Sequence, residues 1–169
     1  MSSLDQQTYP NYKIVVFDNA STDNSAEFIK QNFPKIKLIQ AKSNLGFAEG
    51  NNLAIKFALG QNAEYVFLVN NDTEAEEDLI EKLIVTCKND ESIGIAGPAV
   101  FDLENKRSIQ EMGMSIDRFG YAFALKNKQD VSYTFFVSGC AMMIKSELIK
   151  AIGSFDKKYF MFAEDLDLC

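Results

Sequence analysis

Several polar clusters in this sequence directly follow short apolar runs, and each carries oxygen donors. Asn70-Asn71-Asp72 follows the apolar Phe67-Leu68-Val69. A carboxylate just past a buried strand faces the crevice where open α/β sheets bind ligands. Hard cations such as Mg2+ and Mn2+ want oxygen donors and often take only one or two protein carboxylates, with substrate phosphates supplying others. Asp72 suits that metal role, with Asn71 as a neutral neighbour; it suits equally well an N-cap for the next helix. Asp18-Asn19 ends another apolar run and could hydrogen-bond a nucleobase or ribose, or form only an Asx turn into a capped helix. In Asn44 to Asn52 (NLGFAEGNN) the amides and glycines, Asn44 and Gly46 first, stand near a helix start, where backbone N–H groups can approach a nucleotide. The plain alternative is a loop leading into a helix.

Two further groups sit near the C-terminal end. Glu164-Asp165-x-Asp167 follows the aromatic run Tyr159-Phe160-Met161-Phe162. Aromatic neighbours can raise a carboxylate pKa and make a general base, although an acid-rich helix start needs no function. Ser138-Gly139-Cys140 could bring backbone close to an acceptor, with Gly139 at its centre, or form a bulge. Cys140 has no base partner and is set aside as a nucleophile.

The elements that must position these residues alternate along the chain. Lys13 to Phe17 is continuous and β-branched, the pattern of a strand buried on both faces. Ser21-Thr22-Asp23 offers caps for a helix to about Asn32, and Pro34 stops it. Ile36 to Ile39 forms a second strand. Ala48 to Leu59 follows as a helix with Leu53 and Phe57 on one face and Gly60 beyond its end. Tyr65 to Val69 is a third strand. Thr73 caps a helix running on through Leu79, Ile80, Leu83, Ile84 and Cys87, and Ile93 to Ala96 is a fourth strand. Strand and helix in this alternation imply a parallel sheet with helices on its faces. From Asp102 to Asp130 the pattern lapses into a polar excursion, partly hairpin, of the kind that carries substrate contacts. A strand resumes over Phe135 to Val137, breaks at Ser138-Gly139-Cys140 and continues to Ile144; Ser146 then caps a short helix ending at Gly153.

Composition narrows the chemistry. The 169 residues fit one domain, and 47% hydrophobic content supplies a core. With no histidine, His-based acids, Ser-His-Asp triads and His-ligated zinc are excluded, leaving acid–base work mainly to Asp and Glu. The net charge of -7, with two arginines, Arg107 and Arg118, argues against a nucleic-acid partner. An acidic protein that binds an anion needs a metal or helix N-termini to offset repulsion. Three scattered cysteines suggest free thiols in a reducing compartment, hence a cytoplasmic protein. No apolar run reaches the ~20 residues of a membrane span.

Taken in order, QTYPNYKIVVFDNASTDNS, NLGFAEGNN, FLVNNDT and SGCAMMIKSELIKAIGSFDKKYFMFAEDLDLC resemble the inverting glycosyltransferases of family 2, in their rhamnosyltransferase-like branch, across nearly the whole chain. The resemblance implies an α/β fold of the GT-A type, a Rossmann-like, mostly parallel sheet with helices on both faces. It implies one domain, with residues 1–100 as a nucleotide-binding half and 101–169 as an acceptor-side half. Asp18 and Asn19 would contact base and ribose, joined on the donor side by Asn44, Gly46 and Asn71. Asp72 would hold Mg2+ or Mn2+ and the diphosphate. Asp165 would be the catalytic base, with Glu164 and Gly139 on the acceptor side. The implied donor is a UDP-, dTDP- or GDP-linked sugar. The implied acceptor is a glycan or lipid-linked hydroxyl, met in the cytoplasm or at the inner membrane face during cell-surface polysaccharide or glycan synthesis. The resemblance also leads us to expect a first strand, absent here, between Lys13–Phe17 and Tyr65–Val69, and a chain ending inside the helix that follows Glu164-Asp165. Sheet edges left open in this way would invite pairing with another copy.

Rival readings remain at this level. A nucleotidyltransferase shares the architecture and the metal but normally carries a glycine-rich basic loop. A signalling receiver domain has acidic strand ends but no need of the aromatic-acid tail. A fragment without catalysis is the third.

Overall fold

A computed structural model describes residues 1–126 and 131–169; the last four residues of the excursion expected from Asp102 to Asp130 lie outside the described residues. The elements run α1 (Ser2–Asp5), β1 (Val15–Asp18), α2 (Ser25–Asn32), β2 (Lys37–Gln40), α3 (Gly46–Gly60), β3 (Tyr65–Val69) and α4 (Leu79–Asn89). There follow β4 (Ile95–Ala96), β5 (Val100–Phe101), β6 (Ile109–Glu111), β7 (Met114–Ile116), β8 (Ala122–Ala124), β9 (Ala141–Lys145), α5 (Ser146–Ile152) and α6 (Glu164–Leu168). The chain forms two compact units that interleave in sequence. One comprises residues 1–9, 67–145 and 169; the other comprises 10–66 and 146–168.

The first unit is built around β9, the middle strand of a three-stranded sheet in the order β3-β9-β4. A strand covered on both faces favours an unbroken apolar run. Ala141, Met142, Met143 and Ile144 are all buried, and β9 runs antiparallel to β4. Burying each of the larger side chains contributes about 1.5–3 kcal/mol. Helix α4 presents the expected 3-4 stripe: Ile80, Leu83, Ile84 and Cys87 are buried. The excursion is indeed partly hairpin, with β5 antiparallel to β6 and β7 antiparallel to β8.

Helix α4 begins later than the Thr73 cap implied. The Thr73 hydroxyl instead donates to the Asn70 carbonyl at 2.7 Å, which holds the turn after β3. Residues 74–78 are non-helical, and the cap comes from far away in sequence. The Gln7 side-chain oxygen accepts the Ile80 N–H at 3.0 Å, and its amide donates to the carbonyls of Glu76 at 2.7 Å and Ser3 at 3.1 Å. Thr8 N–H adds a bond to the Glu77 carbonyl at 2.8 Å. A buried glutamine thus satisfies orphan groups that a helix start leaves open.

In the second unit β1 and β2 form a parallel pair, in register from Val15 against Lys37 to Asp18 against Gln40. Val15, Val16 and Phe17 are only half-buried, so the expectation of a strand covered on both faces is not met; among the described residues β1 belongs to a two-stranded sheet. Ala26, Ala48, Ile55, Val66, Ile149 and Phe155 make its core. The packed side of α3 therefore runs through Ala48 and Ile55, and Leu53 is exposed at 36% rather than facing inward. Gly60 lies inside α3, and Asn62, with φ 57, supplies the left-handed residue after it. Ser146 is the first residue of α5, but its hydroxyl is buried with no hydrogen-bond partner among the described residues, so it makes no side-chain cap. Back in the first unit, the strand expected over Phe135 to Val137 reduces to one bridge, Met114 against Phe136, because Thr134 turns its hydroxyl onto the Met114 carbonyl.

Gln7→Ala removes three hydrogen bonds and leaves buried backbone groups of α4 unsatisfied. Unfolding free energy from chemical denaturation should fall by about 1–3 kcal/mol. A loss within about 0.5 kcal/mol, typical of a surface site, would show that the cap does not matter.

Candidate active site

Four of the residues singled out from sequence come together in the second unit, where β1 ends and α3 begins. Asp18 is 6% exposed, and both its oxygens are engaged. Oδ1 accepts the Ser21 N–H at 2.9 Å and Oδ2 accepts the Gln40 amide at 3.2 Å. The hydrogen bonds from Ser21 hold its carboxyl below the usual carboxylate range, against the opposing effect of burial. Ala20, with φ 65, lets the chain reverse after Asn19.

Asn19 ties this turn to the helix. Its Oδ1 accepts the Leu45 N–H at 2.8 Å, while its amide donates to Asn44 Oδ1 and the Gly46 carbonyl, both at 3.0 Å. Asn44 Oδ1 also accepts the Gly46 N–H at 2.9 Å. The next N–H, that of Phe47, donates to the Phe160 carbonyl at 2.7 Å. The N–H groups expected to approach a phosphate are therefore engaged by the protein's own oxygens in this conformation.

The aromatic-acid segment lies in the same unit. Phe162 and Ala163 both adopt positive φ, 75 and 67, a conformation disfavoured for residues with a Cβ. The chain then enters α6. Glu164 is 5% exposed, and its Oε2 has no hydrogen-bond partner among the described residues. Burial pushes its carboxyl up, with backbone hydrogen bonds opposing and the Asp165 charge adding to the rise. Asp165 is half-buried in the first turn, and its Oδ1 accepts the Leu166 N–H at 2.8 Å. A buried acid pushed toward its protonated form beside a more accessible one is a division of labour suited to acid–base chemistry.

The first unit holds the other candidates. Asn71 and Asp72 are exposed in the turn after β3. The Asn70 N–H donates to the Cys140 carbonyl at 2.9 Å, so the Asn70-Asn71-Asp72 run sits against the Ser138-Gly139-Cys140 turn, in which Gly139 is buried. Burial raises the Cys140 thiol pKa, and the charges of Glu111 and Asp72 raise it further. That places the negative fields of two carboxylates at one point. An exposed carboxylate with oxygen-bearing neighbours suits a hard cation that completes its shell with phosphate and water. Among the described residues no three acidic or cysteine side chains cluster as a ready-made metal cage. A shallow hollow of about 390 Å3 lined by Asp78, Glu81, Lys82, Val85 and Thr86 shares no residue with these candidates. Two residues escaped the sequence reading: Asn52, whose amide donates to the Phe155 carbonyl at 2.8 Å, and Gln7. Asn52 lay within the quoted motif, but nothing in the sequence named its partner.

The two buried acids of the second unit should respond oppositely to pH. The lowered Asp18 pKa stabilises the fold above its unfolded value near 3.8, and that stability is lost as pH falls through the folded value. Asp18→Asn should therefore lower the melting temperature at neutral pH, with the gap to wild type closing in acid. The raised Glu164 pKa works the other way: stability is lost as pH climbs from the unfolded value near 4.5 through the folded value. Glu164→Gln should raise the melting temperature at neutral pH, and the gain should vanish below pH 4.5. Melts across pH that show the same sign for both variants would contradict these environments.

Comparison with known proteins places the arrangement. A decaprenol-linked L-rhamnosyltransferase of Mycobacterium tuberculosis is 25% identical over 99% of this chain and 63% of its own length. A glycan-biosynthesis hexosyltransferase of Haloferax volcanii is 26% identical over 93% of this chain and 52% of its own. The chain thus spans between half and two thirds of these relatives. Among solved structures, a Pyrobaculum calidifontis mannosyltransferase in complex with GDP-Man and Mn2+ superposes with a TM-score of 0.68 at 19% identity, over 99% of this chain and 45% of that one. TarS of S. aureus in complex with UDP gives 0.66 at 18%, over 99% and 48%. The fold is that of the GT-A transferases. The profile of Glycosyl transferase family 2 matches residues 1–152, and the chain belongs to that family.

Proposed function

We propose that the chain is the donor-side part of an inverting glycosyltransferase that moves a sugar from a nucleoside-diphosphate donor to an acceptor hydroxyl. The observation that carries this reading, beside family membership, is the pairing of acids at the start of α6. Glu164 is buried and driven toward its neutral form, while Asp165 beside it is half-exposed. In this reading Asp165 accepts the proton of the acceptor hydroxyl as that oxygen attacks the anomeric carbon, and a single displacement inverts the configuration. Burial that disfavours the Glu164 charge weakens a second negative charge beside the attacking oxygen. Asp18 and Asn19 shape the base and ribose site, with Asn44 and Gly46 behind them, and Gly139 lines the acceptor side.

Asp72, with Asn71 beside it, would hold a divalent cation, Mg2+ or Mn2+. The chemistry supplied there is charge compensation of the departing nucleoside diphosphate. Support comes from the exposed turn after β3 and from the Mn2+ named with the mannosyltransferase relative. The donor class is a UDP-, dTDP- or GDP-linked sugar, since UDP and GDP-Man occur with the structural relatives and a dTDP-rhamnosyl transferase of Shigella flexneri is 22% identical over 94% of this chain. The acceptor class is a glycan or lipid-linked hydroxyl, reached in the cytoplasm or at the inner face of the membrane. Among the described residues no helix is long and apolar enough to cross a membrane.

A thermal-shift panel of UDP-, dTDP- and GDP-sugars with and without Mn2+ should give one stabilising class whose effect grows with metal. Asp72→Ala should abolish the metal-dependent part, and equal diphosphate affinity with and without Mn2+ would remove Asp72 from this role. Asp165→Asn keeps the shape but cannot take the proton. Turnover should fall by ~10²–10⁴, the usual worth of general-base action, with donor affinity retained. Wild-type turnover in that variant would move the base elsewhere.

A further inference from the structure

The start of α3 and the loop ahead of α6 meet within the second unit. We propose that the Asn44–Asn52 segment is the dock for the loop leading to Glu164 and Asp165, so that Gly46 and Asn52 act as positioning residues and not as contacts to the donor. This rests on reading Asp165 as the base.

Three contacts make the dock. The Phe47 N–H donates to the Phe160 carbonyl at 2.7 Å. The Asn52 amide donates to the Phe155 carbonyl at 2.8 Å, and the Phe47 and Phe155 rings pack with centroids 6.1 Å apart. Gly46 lies flush against the loop. A Cβ there would sit 2.4 Å from the Phe160 carbonyl oxygen and 2.6 Å from its ring, and φ of +78 adds backbone strain for any side chain. Position 46 thus requires glycine because the loop backbone occupies the space.

Within the loop, Phe162 bonds the Glu164 carboxyl through its backbone, and the Tyr159 and Lys158 N–H groups bond Asp156. Phe160, Met161 and Phe162 are 55%, 53% and 79% exposed, so their apolar side chains contribute little burial. Consecutive positive φ values at Phe162 and Ala163 are disfavoured and persist only where the surroundings impose them. The path to Glu164 and Asp165 is imposed at Phe155 and Phe160 by α3 and at Glu164 by burial. Moving the Phe160 end shifts the carboxylates.

Gly46→Ala and Asn52→Asp test this in the full chain. The second keeps the side-chain shape while replacing the donor with an acceptor facing the Phe155 carbonyl, and it serves if the first fails to fold. Three readouts apply: hydrogen exchange at the Phe47 and Asp167 amides, calorimetric affinity for UDP-, dTDP- and GDP-sugars, and nucleoside diphosphate release with water as acceptor. Both variants should exchange faster at those amides with donor affinity unchanged. A Cβ at 2.4 Å must retreat by about 1 Å to reach ordinary contact, and a misplacement of that size costs about 100-fold in turnover. Adding either change to Asp165→Asn should bring no loss beyond that of Asp165→Asn alone, because both act through one carboxylate. Unchanged protection at Phe47, weakened donor binding at unchanged turnover, or losses that multiply in the double variants would each overturn the dock. Turnover unaffected by Asp165→Asn alone, or absent in wild type, would count against the proposed function, while hydrogen exchange and donor affinity still decide the dock.

Discussion

A helix start leaves N–H groups that its own turns cannot satisfy, and in this protein the start of α3 governs how the second unit is assembled. Leu45, Gly46 and Phe47 present three such donors in succession. Asn19 takes the first, Asn44 the second and the Phe160 carbonyl the third. The end of β1, the connection from β2 and the loop before α6 are thereby fastened to one turn of helix. Asn19 does most of this, since its amide also bonds Asn44 and the Gly46 carbonyl. Its acceptor and both amide bonds are engaged, so its orientation is set by the network around it.

The first unit meets the same constraint by different means. The start of α4 has no side-chain cap of its own at Asp78, and Gln7 supplies one from the N-terminal segment. In both units a side-chain amide brought from a distant stretch of chain closes a helix start. An amide can donate and accept at once, so it joins a helix N–H to a neighbouring carbonyl, as Gln7 does with Ile80 and Glu76. A carboxylate could only accept.

These pairings explain what was legible from sequence. Periodicity located β3 to the residue and the stripe of α4 except at Leu79, which is only half-buried, because a buried apolar pattern leaves few alternatives. The helix starts were misjudged wherever the cap was long-range. Thr73 followed by acids has a capping pattern, but its hydroxyl finds the Asn70 carbonyl one residue past the strand end, and Gln7 outcompetes it as cap. At α3 small residues mislead a hydrophobic count. Ala48 and Gly50 are buried while Leu53 is exposed, because Gly50 lies against the Phe17 ring, with a would-be Cβ 3.2 Å away. Among the candidate residues, Asp18, Asn19, Asn44 and Gly46 gather where β1 ends and α3 begins. How their hydrogen-bonding capacity is divided depends on Asn19 meeting Asn44, Leu45 and Gly46, which no local pattern announces, and the next donor, the Phe47 N–H, is taken by Phe160, more than 100 positions away.

That division bears on how an acidic protein can hold an anion. The net charge is -7, and the positive end of α3, a fifteen-residue helix, is the natural place to seek compensation. Its first N–H groups already face amide and carbonyl oxygens of the protein, and Asp18 at the end of the neighbouring strand is held ionised by Ser21. A diphosphate approaching this turn would meet saturated donors and a fixed negative charge. Repulsion between unit charges about 4 Å apart is on the order of 1 kcal/mol in bulk water and about 4 kcal/mol near a protein surface, so the deficit is material. Compensation for such a charge would have to come from outside this turn, because its N–H groups are already spent on the protein's own oxygens.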